Sequence, residues 1–319
     1  MLGAGGLVGQ AYHAGVLAAL ETDLGWDART ADVIVGTSAG SVTGTALRMG
    51  LSATDLAAWA TDVEPSPEGS PLIEAFSSEP PDFPPFDLAG LFTGWRFPAV
   101  ALLRRMARKP WAMRPSVVAS TLLPAGSWDV SSHAATWNDL LGDDWPDGLL
   151  ICAARRIDGR RVVFGGPRAP DAPLSQAVAA SCAIPGYFAP VRIGRREYLD
   201  GGVHSSTNAD VLRSEGIDVA VVVAPMSAAH GRSRTPDAAV RWTVHRRLEH
   251  EVRRLRNAGV HVVRFEPRAP TLRAMGLNAM SDDRGPAVVR SAYFEAAARI
   301  AEPRIRRRLE ALAHRRRAA

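Results

Sequence analysis

Apolar positions along the chain alternate between two periods, one suited to helices and one to buried strands. From Gly9 to Leu20, the residues Tyr12, Val16, Leu17 and Leu20 recur at helical spacing and give one apolar face. Asp32 to Gly36 is a short apolar run of strand length, and Ala39 to Met49 returns to a helical pattern that Gly50 ends. Ser52 is placed to cap a third helix over Asp55 to Ala60. Leu149 to Ala154 and Arg161 to Phe164 read as two strands joined around Asp158-Gly159, a hairpin signal. Ser175 to Cys182 predicts a short helix stopped by Ile184-Pro185-Gly186, and Glu197 to Leu199 a strand that delivers Asp200-Gly201-Gly202. Ile217 to Val223 and Val260 to Phe265 are buried-strand runs on either side of a long Arg-rich helix, Ala238 to Asn257. Arg284 to Leu312 is helical with a break at Pro303. Strands alternating with helices specify a layered α/β architecture.

Between these elements lies a stretch of different character. Seven prolines fall between Pro65 and Pro85, which argues against regular core structure from Glu64 to about Asp87. Trp95 to Trp111 then mixes Phe97, Leu102, Leu103 and Met106 with Arg104, Arg105, Arg108 and Lys109. Residues 62–145 are expected to form a cap or lid inserted into a single α/β domain spanning 1–319; an irregular loop with one ordinary packing helix is the alternative. Residues 284–319 are expected to form a helical, basic C-terminal segment.

Composition changes this picture little. The chain has 319 residues, 46% of them hydrophobic and 22% charged, ordinary values for a globular protein. The net charge is +5, but it is concentrated: from Arg304 to the end there are seven arginines and His314 against one acid, Glu310. Such an end suits an anionic membrane surface or plain solvation. The arginines come without any nucleic-acid recognition module, so no nucleic-acid partner is expected. Cys152 and Cys182 sit in apolar surroundings without paired spacing and are expected to be reduced and inert, with no metal site. No run has the length of a membrane span, and no basic segment precedes the first glycine loop. A cytoplasmic protein is expected, with contact at the inner face of the membrane as an additional role. Only Met1 and Leu2 precede that loop, where a strand would ordinarily lead in, so a few upstream residues are expected to be missing.

Three motifs carry chemistry. Gly36-Thr37-Ser38-Ala39-Gly40 is a G-x-S-x-G between a strand and a helix, the context of a nucleophile elbow. A serine on so sharp a turn needs neighbours without Cβ at Gly36 and Gly40, and a helix N-terminus behind it favours developing negative charge. Gly3-Ala4-Gly5-Gly6-Leu7-Val8-Gly9 opens the first helix and can bring backbone N–H groups close to an oxyanion. A dinucleotide loop is the competing reading, but its third glycine falls one residue late, and no acid closes the next strand. Asp200-Gly201-Gly202 leaves a carboxylate at an open turn. A Ser–His–Asp triad is the main enzymatic rival, with His13, His133, His204 and His230 as candidate bases.

In this order, and with Ala180-Ser181-Cys182-Ala183-Ile184-Pro185-Gly186-Tyr187-Phe188-Ala189-Pro190, Ala11 to Leu20 and Asn208, these blocks resemble the patatin-like phospholipases of the bacterial type. The resemblance runs from Leu2 to about Val211. It implies a three-layer α/β/α fold around a central, mostly parallel sheet. It also implies a lipid acyl hydrolase that needs no cofactor, with Ser38 as nucleophile, Asp200 as base and backbone groups of Gly5, Gly6 and Leu7 as oxyanion hole. Val8 stands where the family commonly carries a basic residue, and Ala4 replaces a frequent glycine. The implied substrate is a lipid or other acyl ester. A catalytically silent lipid-binding protein on the same scaffold is the alternative outside enzymes.

Overall fold

In the computed structural model, residues 1–77, 126, 128–130, 144–229 and 236–314 are described. The order is α1 (Gly6–Leu24), β1 (Ile34–Thr37), α2 (Ala39–Arg48), α3 (Ala53–Trp59), α4 (Ser70–Ser77), β2 (Leu149–Arg155), β3 (Arg161–Phe164), α5 (Leu174–Cys182), β4 (Val191–Ile193), β5 (Arg196–Asp200), β6 (Val219–Val223), α6 (Ala238–Asn257), β7 (His261–Phe265), α7 (Ala269–Met275), α8 (Gly285–Ile300) and α9 (Pro303–His314). Short 3-10 turns follow β5 at Gly201–Val203 and precede β6 at Ala209–Ser214.

Strand periodicity divides the core into two layers. Successive side chains of a strand point to opposite faces. Ile34, Leu149, Ile151, Val221, Val223 and Val263 therefore pack into one cluster with α1, α3 and α8. Their neighbours Val35, Leu150, Cys152, Val222 and Val262 pack on the other face against Leu248, Val252 and Leu255 of α6. Those three leucine and valine positions are spaced four and three apart, one stripe of a helix whose remaining face is rich in arginine.

β7 and β6 are parallel, as are β1 and β2. The link between these pairs is the very start of the chain. Leu2 bridges in parallel to both Gly36 and Val223, the Leu2 N–H donates to Val35 O at 2.8 Å, and the Gly3 N–H donates to Val223 O at 2.9 Å. Met1 to Gly3 thus serve as the strand that the sequence seemed to lack before the glycine loop. The other edge is antiparallel: β3 and β5 both run against β2, and β4 runs against β5. The parallel centre fits the expected layered sheet, and the hairpin of β2 and β3 forms at Asp158-Gly159 as its turn residues predict.

One expectation needs correction. The prolines argue against regular core structure in this stretch, yet α4 forms within it. Pro71 sits in the first turn of that helix, where the missing N–H costs nothing. Phe76 is buried, and Leu72 and Ile73 pack against the main core. The helix α7 and the strand β4 also lack a clear signal in the sequence. Most of residues 62–145, including Trp95 to Trp111, lies outside the described residues, as does the arginine run at 315–317. No described helix is long and apolar enough to cross a membrane.

Candidate active site

Strand register explains how two distant loops meet. Along β2, β1 pairs with Leu149 to Cys152 and β5 pairs with Ala153 to Arg155. β3 occupies the other edge over Ile151 to Ala154, so β1 and β5 must share one edge. They approach each other head-on. Thr37, the last residue of β1, faces Cys152, and Asp200, the last of β5, faces Ala153. Ser38 follows Thr37 directly. Two chain segments far apart in sequence are thereby placed one residue apart on a common strand.

At the end of β1 the backbone turns abruptly. Ser38 has φ 52° and ψ −123°, a conformation that L residues rarely adopt and that costs about 1–3 kcal/mol. The turn closes so tightly that a Cβ on Gly36 would lie 2.5 Å from Gly40 O, and one on Gly40 would lie 2.0 Å from Leu2 O. The strain is held by bonds from outside the motif. The Ser38 N–H donates to Ser181 Oγ at 2.8 Å, Ser181 Oγ donates to Cys152 O at 2.7 Å, and Ser41 Oγ donates to Ser38 O at 2.7 Å.

Asp200 is buried, its carboxylate accepts from the Gly202 N–H at 2.6 Å, and it lines one cavity with Ser38. Burial pushes this carboxyl from 3.8 up to about 6, against the opposing pull of the nearby Ser38 hydroxyl and the Gly202 N–H. The Cys182 thiol lies 3.8 Å from Ser41 Oγ, and burial pushes it up to about 12. At neutral pH it is a packed, protonated neighbour. Cys152 is buried and likewise pushed up to about 12.

The glycine loop arrives from the side. Gly5 precedes α1 without any side-chain cap. The Val8 N–H donates to Ala279 O and the Gly9 N–H to Gly5 O, whereas among the described residues nothing accepts from the N–H groups of Gly5, Gly6 or Leu7. These are the orphan donors of a helix start, and they carry the positive end of the α1 dipole. The N-terminus of α2 begins at Ala39, immediately after Ser38. Gly5 and Gly6 line a cavity of about 620 Å³ together with Ser38 and Asp200, while the side of Leu7 turns into a neighbouring groove. Val8 is buried, so no charge stands at that position.

Among the described residues no histidine lines this cavity. His13 is fully buried, bonds Thr43 at 3.2 Å, and is pushed down to about 3, chiefly by desolvation. His204 Nδ1 lies 3.4 Å from Gly159 O. His133 and His230 lie outside the described residues. No cluster of three metal-ligating side chains occurs among the described residues.

Residues 1–213 match the family described as patatin-like phospholipase. The chain belongs to that family. The match spans the strand-borne elbow, the glycine loop and the Asp-Gly-Gly turn in the order seen here, and the patatin fold accounts for the mixed sheet with helices on both faces. Among solved structures, the crystal structure of VipD from Legionella pneumophila is similar at 12% identity and a TM-score of 0.40, covering 92% of this chain. The likeness extends over 65% of the VipD chain. No curated protein matches the sequence.

Sequence reading left out several parts of this site. Ser181 lies within the block that carries the family resemblance, and nothing in its local pattern tells that its hydroxyl holds the Ser38 N–H. Tyr187, Met226, Asn278 and Met280 come to the cavity wall from loops without periodic signal.

Proposed function

We propose that this protein hydrolyses carboxylic esters of lipids through an acyl-Ser38 intermediate, with Asp200 as the base. The observation that carries the reading is that Ser38, at its strained turn, and the buried Asp200 carboxylate line one cavity with Gly5 and Gly6, whose N–H groups find no acceptor among the described residues. In this mechanism Ser38 Oγ attacks the ester carbonyl while its proton passes to Asp200. The carbonyl oxygen, now negative, is held by N–H groups from Gly5, Gly6 and Leu7 and by the converging ends of α1 and α2. Asp200 returns the proton to the leaving alcohol, and then takes one from the water that releases the acid. A carboxyl near 6 is ionised at neutral pH and is a better proton acceptor than one at its ordinary value.

Family membership supports a lipid or other acyl ester as substrate. The cavity favours the same class, since Ile184, Pro185, Val203, Met226 and Ala279 give it an apolar wall, and among the described residues Asp200 is its sole carboxylate and no basic side chain lines it. A dyad supports the reading better than a histidine triad, because the described histidines stand elsewhere. Assay of p-nitrophenyl esters and then of a phospholipid and glyceride panel tests the class, with loss of turnover in Ser38→Ala as the required control. Turnover that survives Ser38→Ala would sink the proposal.

A further inference from the structure

A pocket of about 70 Å³ lies between α1, β7 and α8 and shares no lining residue with the Ser38 cavity. That is room for about two waters, and so for one small ion. Its walls are charged: Arg264, Arg268 and Arg299 line it against Glu266 and Glu295, and Tyr12 adds a phenol. Three arginines against two glutamates leave the pocket with surplus positive charge. Glu266 accepts from Ser227 Oγ and hydrogen-bonds His245 Nδ1, each at 2.6 Å, and Glu295 accepts from Thr271 Oγ1. Arg264 pairs with Glu249 of α6, and Arg268 lies 3.7 Å from both Glu295 and Glu302. Arg299 differs. Its Nε donates to Arg264 O at 2.7 Å, and among the described residues no carboxylate pairs with its guanidinium. Burial holds that group below the ordinary arginine value; Glu302 opposes this, while Arg268 and Arg264 add to it.

Tyr12 is the second group without a counterpart. It is 2% exposed, and among the described residues no hydrogen bond reaches its hydroxyl. The charges that act on that hydroxyl are Glu295, Glu266, Arg299 and Arg268, and all four line the pocket, so the phenol faces into it. Burial and then the two glutamates push it well above its ordinary value, so it stays protonated and able to donate. A buried donor without an acceptor is costly, and so is a half-buried cation without a counter-ion.

We infer that this pocket is a binding site for inorganic phosphate. The ion offers acceptor oxygens to Arg299, Arg268 and Tyr12 and neutralises the surplus positive charge. The two glutamates select among anions. An ionised carboxylate only accepts, so it opposes a fully ionised anion such as sulfate, whereas hydrogen phosphate keeps a proton to donate to it. The dianion of a phosphate monoester lacks that proton as well, which favours the free ion.

The test is isothermal titration calorimetry of the full chain with sodium phosphate near neutral pH in a chloride buffer. The expected result is one ion per chain, bound about tenfold more tightly than sulfate or glycerol 3-phosphate. Tyr12→Phe removes only the hydroxyl and weakens phosphate binding about fivefold, and Arg299→Gln weakens it about tenfold or more. Glu295→Gln replaces the carboxylate by an amide that can donate, and erases the preference over sulfate. Melting temperatures taken without phosphate separate lost binding from lost folding. Where Tyr12→Phe or Arg299→Gln fails to fold, Arg268→Gln, at a half-exposed position, takes its place and weakens binding about fivefold. No phosphate binding by the wild type, an affinity within about twofold of wild type in every folded variant of Tyr12, Arg299 and Arg268, or sulfate bound as tightly as phosphate overturns the inference. Tighter binding of glycerol 3-phosphate or of phosphatidate vesicles than of phosphate also overturns it, and would assign the pocket to a lipid head group.

Discussion

Asp200 bears a cost that its function would explain. Its carboxyl titrates at about 6 in the folded protein against 3.8 ordinarily, so between these values the native state holds more protons than the unfolded chain. Stability therefore falls as pH rises from about 4 to about 6 and does not recover from this group above it. The difference corresponds to on the order of 3 kcal/mol as an upper bound. Asp200→Asn is expected to raise the melting temperature at pH 8, with the gain vanishing near pH 3, as thermal scans at both values would reveal. The same titration governs rate: kcat/KM should be flat above about pH 7 and fall tenfold per unit below an apparent pKa of about 6. A profile with no acid limb near that value would remove Asp200 as the base. Ser181 acts on the other partner. Ser181→Ala leaves the Ser38 N–H and Cys152 O without their partner, and is expected to cost about 1–3 kcal/mol in urea unfolding and at least tenfold in kcat.

At the level of elements, the site depends on how loops after β1 and β5 are tied together. Asn208, at φ 53°, donates from Nδ2 to Thr37 Oγ1 at 3.2 Å and to Gly201 O at 3.4 Å, touching the residues next to Ser38 and Asp200. Its own loop is fixed from α6, where fully buried Glu251 accepts from Ser205 Oγ and Thr207 Oγ1, each at 2.6 Å, and from the Ala209 N–H at 2.9 Å. Asn208→Gly preserves the left-handed backbone and removes those side-chain bonds together with the one to Ser205 O at 2.6 Å and the one accepted from Arg161 at 3.3 Å. It is expected to cost about 1–3 kcal/mol and to lower kcat more than it raises KM. Gly40→Ala should do worse, since its Cβ meets the Leu2 carbonyl, and soluble expression with wild-type melting would contradict the elbow geometry. These elements were unequally legible. α6 appears in the sequence with its true ends because its leucine and valine stripe is long and periodic. α4 was missed because proline count outweighed the tolerance of a first turn for Pro71, and α7 because seven residues carry too little pattern.

For the whole molecule, the layered fold could be read from alternating periods, but the sheet's mixed direction could not. Nothing in Arg196 to Asp200 states that β5 runs against β2, since strand polarity follows from pairing and not from local composition. That polarity is what makes β1 and β5 converge on Cys152 and Ala153. Motif order suggested that Ser38 and Asp200 belong together, and register supplies the physical reason. Likewise the start of the chain looked too short for a strand, and only its place between β1 and β6 reveals Met1 to Gly3 as one. The central claim is that Ser38 is a nucleophile activated by Asp200. Its most direct test is mass spectrometry of protein treated with a fluorophosphonate, comparing wild type, Ser38→Ala and Asp200→Asn. The expected result is one adduct on the peptide containing Ser38, none in Ser38→Ala, and labelling slowed at least a hundredfold in Asp200→Asn. An adduct that persists in Ser38→Ala, or forms at the wild-type rate in Asp200→Asn, would contradict it.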